Sequence, residues 1–452
     1  MKIKQWEDKG LSIYSYAILS DCEKKIVLID PERDISRYED FARENNAQIV
    51  GVIETHPHAD YVSGHLELHQ KHGAVIYVHK LVNALYPHRP VEHNDEIQIG
   101  KIKLQFLHTP GHSPDSICIL LYHHDKPYAI FTGDTLFIGD CGRPDLREEA
   151  GFVTAGKREL AGKMYDSLNN IIAPLPDELI VYPGHGAGSL CGKGLGSENS
   201  STIGKEKLSN WSLHHMRREE FIDELLNGQP APPAYFPNTV MINRTGASPF
   251  TQAVNEVKKL PGIRSEEDVQ KLNKNLLIID GRDSRLFKAG HLKGAVNIAE
   301  GPKFETWLGT VISPGEKFYL TAKNSAQLDK LIKRIAYIGY ENQIEGAFLL
   351  DYVNEAEPEL NLEDFKKHIE NYTILDIRNP EEVKSGKAFE KAVNIPLGSL
   401  PVSVNDIPKE KPVVVHCAAG YRSAIGASLI KARLNGNAEV YDLGPAIRQF
   451  LN

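Results

Sequence analysis

The chain has 452 residues, and at roughly 100 to 200 residues per domain this length predicts about three domains. Apolar residues make up 41% and charged residues 25%, proportions typical of a globular protein and not of a disordered chain. The formal net charge is −8, so the charge balance gives no support for nucleic acid or an acidic membrane as a partner. Because neither a signal-peptide core nor a run of ~20 apolar residues is visible, we expect a cytoplasmic protein with no membrane partner.

In the first half, short apolar runs rich in β-branched residues alternate with turn signals and with two helical stretches. The runs predict strands near residues 25, 50, 75, 102 and 128, and the helical stretches lie at about 35–45 and 63–73. Each strand leads into a polar loop, and histidine and aspartate gather in those loops. The proline-rich stretch 228–249 has neither helical nor strand periodicity, which predicts a linker or a surface tether.

The second half repeats itself. The segment centred on Asp280 is similar to the segment centred on Asp376, 96 positions later, and each begins with an apolar strand that ends in Asp-x-Arg. Each copy then has a second strand, which leads to Lys323 in the first copy and to Cys417 in the second. Two copies of one α/β unit are therefore predicted, and the first copy lacks the cysteine.

Four fragments of the first half carry possible metal ligands. They read THPHAD (55–60), TPGHS (109–113), TGDT (132–135) and PGHG (183–186), and each follows a predicted strand. Several imidazole and carboxylate donors on turns at one edge of a sheet can meet in a small volume, as a metal site requires.

The combination and order of these fragments resemble the metallo-β-lactamase fold over roughly residues 1–230. The resemblance implies an αββα sandwich, which we expect to form a domain over 1–245 with a C-terminal linker. The family's His-x-His-x-Asp-His segment here begins at His56 and ends at Tyr61, so tyrosine replaces a ligand to the second metal of the two-metal hydrolases. We therefore expect one metal, held by His56, His112 and Asp134.

Two imidazoles and one carboxylate leave open positions on an octahedral ion, the arrangement in which Fe(II) takes a substrate beside O₂. Zinc would usually bring water-activating chemistry instead, and the ligand set alone does not decide between iron and zinc. The segment TGDTLFIGDCGRPDL (132–146) is similar to one that persulfide dioxygenases carry. That resemblance implies one Fe(II) per chain, with Arg143 close to the iron as a substrate-binding residue.

Four further residues lie in the same motifs. His58, Asp60 and His185 hold the positions of the second metal site, where they either orient ligands and water or remain as a hydrogen-bonded relic. Cys191 lies six residues after His185 in a glycine-rich loop. Its sulfur either binds the substrate in the metal pocket or is an inert buried thiol.

The segment VVVHCAAGYRS (413–423) predicts a buried strand, a tight loop and a helix, with Cys417 at the end of the strand. Small residues at 418–420 allow backbone N–H groups to point at the sulfur and stabilise a thiolate, and Arg422 adds a fixed positive charge. Both are predicted catalytic residues. The loop resembles that of the rhodanese sulfurtransferases over 358–452. A phosphatase would place five residues between cysteine and arginine, whereas four stand here. The copy over 262–355 then resembles an inactive rhodanese domain.

The fold class expected from these resemblances is α/β, a metallo-β-lactamase sandwich followed by two rhodanese-like domains with parallel sheets. The whole order resembles proteins that fuse a persulfide dioxygenase to a sulfurtransferase in sulfide detoxification. It implies that a low-molecular-weight persulfide and O₂ give sulfite and thiol, and that Cys417 exchanges sulfane sulfur with sulfite or thiosulfate. Family resemblance also makes a homo-oligomer an expected state. Two alternatives stay open: a glyoxalase II-type hydrolase with two metals, and a non-enzymatic sulfur carrier with a structural metal.

Overall fold

The computed structural model describes residues 1–146, 156–434 and 438–451. They divide into two compact units, Met1–Gln252 with Tyr337–Gly339, and Ala253–Ala336 with Tyr340–Asn452. In the described ranges, no helix is both long and apolar enough to cross a bilayer. The predicted division into domains over 1–245, 262–355 and 358–452 stays a prediction.

The first unit contains two six-stranded sheets. The strands of the first sheet are β1 (Lys2–Asp8), β2 (Ile13–Ser20), β3 (Lys25–Ile29), β4 (Gln48–Ile53), β5 (Val75–His79) and β6 (Arg89–Val91), in that spatial order. The second sheet has the order β12-β11-β10-β9-β8-β7, formed by β7 (Glu96–Ile99), β8 (Ile102–His108), β9 (Ile117–His123), β10 (Lys126–Gly133), β11 (Ile180–Pro183) and β12 (Ser201–Thr202). Strands β3 to β6 run parallel, as do β10 and β11.

The two sheets pack face to face because both present apolar residues inward. Tyr16 and Ile29 of the first sheet share one buried cluster with Phe106 and Phe131 of the second. The outer faces are covered by helices α1 (Ser36–Glu44), α2 (His65–His72), α3 (Lys157–Ser167), α4 (Ile203–Ser209) and α5 (Arg218–Leu226). The predicted αββα sandwich is confirmed. All five strands and both helices predicted in this half are present.

The prediction of a surface tether over 228–249 is wrong in its second half. Helix α6 (Phe236–Thr245) forms there, with Pro237 in its first turn, where the missing N–H costs no intrahelical bond. Its buried residues include Phe236, Val240 and Asn243, spaced as one face of a helix. The pattern is only two turns long, and the prolines around it conceal the period.

The second unit contains two four-stranded parallel sheets of identical order. Helix α7 (Phe250–Asn255) begins in the first unit and ends in the second. The helices around the first sheet are α8 (Glu266–Gln270), α9 (Ser284–Ala289), α10 (Phe304–Val311) and α11 (Ser325–Tyr337), whose last residue belongs to the first unit. That sheet has the order β14-β13-β15-β16, formed by β13 (Leu277–Asp280), β14 (Ala295–Asn297), β15 (Phe318–Ala322) and β16 (Ile344–Leu349). The other has the order β18-β17-β19-β20, formed by β17 (Thr373–Asp376), β18 (Val393–Asn394), β19 (Val413–His416) and β20 (Val440–Asp442). Its helices are α12 (Leu362–Lys367), α13 (Pro380–Lys384), α14 (Leu400–Ser403) and α15 (Tyr421–Leu434).

The two sheets also repeat one side-chain arrangement. The Arg282 guanidinium donates to both carboxylate oxygens of Asp280 and to the Gly290 carbonyl. In the second sheet, Arg378 makes the same fork on Asp376 and donates to the Gly386 carbonyl. A buried ion pair of this kind fixes the turn after the first strand, so the Asp-x-Arg repeat of the sequence corresponds to one structural device used twice.

Candidate metal centre and cysteine loop

The three predicted metal ligands and His185, predicted as a supporting residue, lie at one end of the sandwich. His56 follows β4, His112 follows β8, Asp134 follows β10 and His185 follows β11. All four side chains are buried. Strands that run in the same direction end at the same edge of their sheet, and this places the loops of different strands beside one another.

The structure brings His56, His112 and Asp134 together, with one ligand atom from each within 4.8 Å of the others. The Nε2 atoms of His56 and His112 lie 3.8 and 3.5 Å from Asp134 Oδ2. The two imidazole rings cross at 78°. Three nitrogen and oxygen donors thus converge from three separate loops.

Hydrogen bonds on the far side of each ring aim the donor nitrogens inward. His56 Nδ1 donates to Thr55 Oγ1 at 3.0 Å, and that hydroxyl donates to Asp30 Oδ2 at 2.8 Å. His112 Nδ1 donates to the Arg143 carbonyl at 2.8 Å. With Nδ1 protonated, Nε2 of each neutral ring keeps a lone pair for a metal.

The Asp134 carboxylate is prepared for a cation. Its Oδ1 accepts a hydrogen bond from His185, whereas Oδ2 is buried and accepts none within the described part of the chain. Burial raises the pKa of Asp134, but the charge of the His185 ring, joined by His112 and His56 when their rings are protonated, outweighs it and holds the pKa well below its usual range. A buried carboxylate oxygen without a hydrogen bond is costly. A divalent cation at this position would remove the cost, so the donor set fits a metal.

A second group of donors lies beside the first. His185 Nδ1 and Nε2 donate to Asp134 Oδ1 and Asp60 Oδ2, both at 2.8 Å. Burial lowers the pKa of His185, but the two carboxylates raise it to about 10. Cys191 Sγ also lies within 4.8 Å of the ligand atoms of Asp60 and His185. Burial raises the pKa of the Cys191 thiol well above its ordinary value, so it is a thiol and not a thiolate.

His58 lies in a third group of possible metal ligands, together with Asp30 and Glu54. The sequence alone had pointed to neither of these two acids. Its Nε2 is 3.1 Å from Asp30 Oδ1 and 3.5 Å from Glu54 Oε2. Burial lowers the pKa of His58, but the charge of Asp30 raises it above its ordinary value. Both acids follow a strand directly, Asp30 after β3 and Glu54 after β4, and this position is the signal that could have identified them.

Tyr61, at the position of a family metal ligand, is engaged elsewhere. Its hydroxyl donates to the Asp30 carbonyl at 3.2 Å, and its ring stacks on His58 at 4.4 Å. Burial raises the pKa of the Tyr61 phenol well above its usual value, so it stays protonated. A protonated phenol is a poor metal ligand.

Arg143 is fully buried, and its guanidinium is committed to protein acceptors. Nε and Nη2 donate to the Asp145 carboxylate at 2.7 and 2.5 Å. Nη2 also donates to the Pro230 carbonyl, and Nη1 to the Leu190 carbonyl. Since the Arg143 carbonyl orients His112, these contacts give the residue a positioning role. Its predicted contact with substrate stays a prediction.

Helix α6 holds the loop that carries His56. Asn243 Nδ2 donates to the carbonyls of His58 and Tyr61 at 2.9 and 2.7 Å, and Asn243 Oδ1 accepts the N–H of Ser63. The Tyr235 hydroxyl donates to the carbonyl of Asp60. Four backbone groups of one metal loop are therefore fixed from a segment about 180 residues away in sequence.

The cysteine loop lies between β19 and α15, as predicted. Cys417 is 2% exposed, and the Gly420 N–H donates to its sulfur at 3.1 Å. Gly420 has φ +103°, and an added Cβ would lie 2.8 Å from the backbone of Gly444, so only glycine fits there. Arg422 forms two hydrogen bonds with the carboxylate of Glu382.

The corresponding loop of the first copy is closed by a side chain. The Lys323 N–H donates to Gln327 Oε1 at 2.9 Å, and Gln327 Nε2 donates to the Gly281 carbonyl and to Glu300. A glutamine side chain therefore binds the N–H of Lys323, the residue that aligns with Cys417.

Comparison with known proteins now adds to this geometry. Residues 9–185 match the model of the metallo-beta-lactamase superfamily, and residues 361–450 match the model of the rhodanese-like domain. A solved metallo-beta-lactamase from Staphylococcus aureus subsp. aureus COL is 34% identical, with a TM-score of 0.67 over 77% of this chain and 98% of that chain. The chain belongs to the metallo-β-lactamase superfamily.

Two curated relatives of this superfamily member differ in activity. A "Probable hydroxyacylglutathione hydrolase" of Schizosaccharomyces pombe is 29% identical over 38% of this chain, which spans only 63% of the relative. The "Persulfide dioxygenase ETHE1, mitochondrial" of Bos taurus is 27% identical over 40% of this chain and 67% of that protein. The predicted fold class is confirmed as a metallo-β-lactamase fold followed by a rhodanese-like domain, and the predicted inactive rhodanese domain over 262–355 stays a prediction. Identity alone does not choose between hydrolysis and oxidation.

Proposed function

We propose that this protein oxidises low-molecular-weight persulfides with O₂ at one Fe(II) site and exchanges sulfane sulfur at Cys417. The observation that carries the proposal is the pairing, in one chain, of a three-ligand metal centre with a cysteine loop of the rhodanese type. A thioester hydrolase has no use for a sulfur-accepting cysteine. A dioxygenase whose product is sulfite does, because sulfite is a nucleophile toward sulfane sulfur.

His56, His112 and Asp134 would hold the iron, which would supply the open positions and the redox chemistry that join the terminal sulfur of the persulfide to O₂. The protein's own part is orientation. Thr55 and the Arg143 carbonyl keep both imidazoles in the tautomer that binds metal, and His185 fixes the carboxylate. The three ligand side chains are buried, which keeps bulk water away from them.

At the second site, the Cys417 thiolate attacks the outer sulfur of a donor, and the sulfur–sulfur bond of the donor breaks with its electron pair on the leaving thiolate or sulfite. Sulfite then attacks the outer sulfur of the Cys417 persulfide, which forms thiosulfate and returns the thiolate. The reverse sequence moves sulfur from thiosulfate to a thiol. The Gly420 N–H donates to the sulfur and so stabilises its anionic form. Lys323 and Gln327 make the first copy an inactive rhodanese domain in this proposal.

One observation favours the hydrolase alternative. The ligand atoms of Asp60, His185 and Cys191 lie within 4.8 Å of one another beside the first site, so a second metal has a set of three donors without Tyr61. A two-metal hydrolase would use that set.

Metal analysis of anaerobically purified protein, combined with O₂ uptake after addition of glutathione persulfide, separates the two candidates. We expect one iron per chain, O₂ uptake with sulfite as product, and loss of both iron and O₂ uptake in His112→Ala. His214→Ala, which changes an exposed histidine of the same unit, is the control. Two tightly bound zinc ions per chain, with thioester hydrolysis and no O₂ uptake, would support the hydrolase.

A further inference from the structure

Arg422, the positively charged residue of the cysteine loop, is already paired with a carboxylate. Its Nη1 and Nη2 atoms each donate to one oxygen of the Glu382 carboxylate at 2.6 Å. The arginine side chain is 16% exposed and the glutamate 37%. A bidentate ion pair that is partly buried is stronger than a fully exposed ion pair, so an incoming anion must compete with the carboxylate for Arg422.

Glu382 is held in place before any substrate arrives. It is the third residue of α13, and its Oε2 accepts the N–H of Asn379, closing a capping box at the start of the helix. Its backbone carbonyl accepts a long hydrogen bond from Arg378 Nη1. The carboxylate therefore has a fixed direction, and the ion pair is part of the fold.

Among the residues that the structure describes, the other charged groups beside the loop are paired, and Lys288 is bound to Asp442. Arg378 is matched by the buried carboxylate of Asp376. Burial lowers the pKa of His416, the residue before the cysteine, so its ring is neutral near pH 7. The two arginines are thus balanced by two carboxylates, and a Cys417 thiolate would give the site a net negative charge.

Sulfur donors differ in how they respond to such a site. Thiosulfate brings two negative charges to the thiolate that attacks it and releases sulfite, also a dianion. A persulfide RSSH brings at most one charge on the reacting group and releases a thiolate. In both cases a new S–S bond forms at Cys417 and the donor's S–S bond breaks, with no external oxidant or reductant. Coulomb repulsion scales with the product of the charges, so a site without positive surplus disfavours thiosulfate more.

We infer that Glu382 is a specificity-determining residue of the sulfur-transfer site, which by holding Arg422 makes Cys417 take sulfur from persulfides in preference to thiosulfate. The inference rests on the proposed sulfur transfer at Cys417. It goes beyond that proposal because it names the class of sulfur donor. It also makes Glu382 a positioning residue that acts through Arg422 without touching the substrate.

Glu382→Gln tests this, because glutamine keeps the oxygen that caps α13 but removes the charge that neutralises Arg422. The full chain is mixed with glutathione persulfide or thiosulfate without O₂, and the rate of added sulfur at Cys417 is followed by alkylation and mass spectrometry. We expect the ratio of the second-order rate constants, thiosulfate over persulfide, to rise about tenfold. The faster reaction with thiosulfate should come from a lower half-saturation concentration for thiosulfate. The difference from the wild type should become smaller at high ionic strength.

Glu381→Gln is the matched control. It removes the same charge one residue away, on a side chain that pairs with Lys384, and it should keep the wild-type ratio. Glu382→Asp, which keeps the charge, should preserve most of the preference, and thermal unfolding checks that all variants are folded. An unchanged ratio in Glu382→Gln, or an equal rise in Glu381→Gln, would overturn the inference. A wild-type chain that takes sulfur from neither donor would overturn the proposed sulfur transfer itself.

Discussion

His185 Nδ1 donates a 2.8 Å hydrogen bond to Oδ1 of Asp134, and Oδ2 of the same carboxylate is the atom close to His56 and His112. One oxygen is thus held by the protein while the other faces the metal position. His185 therefore controls the direction of a candidate ligand without being one of the three candidates.

This relationship predicts that His185→Leu weakens iron binding without abolishing it. Loss of the hydrogen bond frees the Asp134 carboxylate to rotate, and loss of a supporting partner of a metal ligand typically costs about 10- to 100-fold in metal affinity. Iron per chain after anaerobic dialysis against a graded series of chelator concentrations measures the effect. His214→Leu should bind iron as the wild type does. Wild-type affinity in His185→Leu would remove His185 from the support of the site.

The two sites should be separable by mutation. Cys417→Ser replaces a nucleophile by a hydroxyl that stays protonated at neutral pH and cannot hold a persulfide. Iron content and O₂ uptake should stay nearly unchanged while the product shifts from thiosulfate to sulfite. Asp134→Ala should abolish O₂ uptake and preserve sulfur loading of Cys417. Sulfite, thiosulfate and O₂ are quantified in one reaction. If Cys417→Ser still made thiosulfate at the wild-type rate, Cys191 would be the next candidate for the transfer residue.

The first copy in the second unit should take no sulfur. In Cys417→Ser treated with glutathione persulfide, peptides that cover 318–330 should carry no added sulfur, because Lys323 replaces the cysteine and the Gln327 side chain is bound to the Lys323 N–H. Peptide mass spectrometry before and after reduction is the measurement. Added mass that reduction removes would show a nucleophile that both sequence and structure had missed.

Stability below neutral pH should depend on His79. Its ring stacks on His108 at 4.0 Å, and burial together with His108 lowers the pKa of His79 from 6.5 to about 4. A base whose pKa is lowered by folding contributes stability above its unfolded pKa, and this contribution is lost as the pH falls from 6.5 toward 4.

His79→Asn keeps an acceptor for the Leu81 N–H but does not titrate. Between about pH 7 and about pH 4.5, its unfolding free energy should fall less than that of the wild type, by roughly 1–2 kcal/mol. Denaturant titrations at the two pH values measure this difference. His215→Asn, at an exposed position, should behave as the wild type does. Equal losses in His79→Asn and the wild type would contradict the assignment.

The sequence predicted the strands and the loops that carry the three candidate ligands, whereas the sandwich and the choice of those ligands followed from the family resemblance. Strands rich in β-branched residues can be recognised from their composition. His56, His112 and Asp134 each stand beside a glycine or proline just after such a strand. Strand pairing and the packing of the two sheets then bring these loops together.

Contacts between side chains that are far apart in the sequence could not be predicted from strand composition or motif spacing. Asp30 and Glu54 are single acids in ordinary strand ends, and nothing near Glu382 indicates that Arg422 is its partner. Asn243 lies in a stretch whose prolines suggested a tether. Each of these contacts depends on tertiary packing, for which one sequence gives no period and no spacing.

The hydrogen bonds from Asn243 to the loop after His56 bear on how much of the chain the candidate metal site needs. The superfamily match ends at residue 185, and all three candidate ligands precede it. A polypeptide cut between 185 and 235 would still contain those ligands, but the carbonyls of His58 and Tyr61 and the N–H of Ser63 would have lost the amide that satisfies them. We expect such a fragment to fold more loosely around its candidate ligand loop and to release metal faster, so a stable metal-binding unit should extend some 60 residues beyond the matched segment.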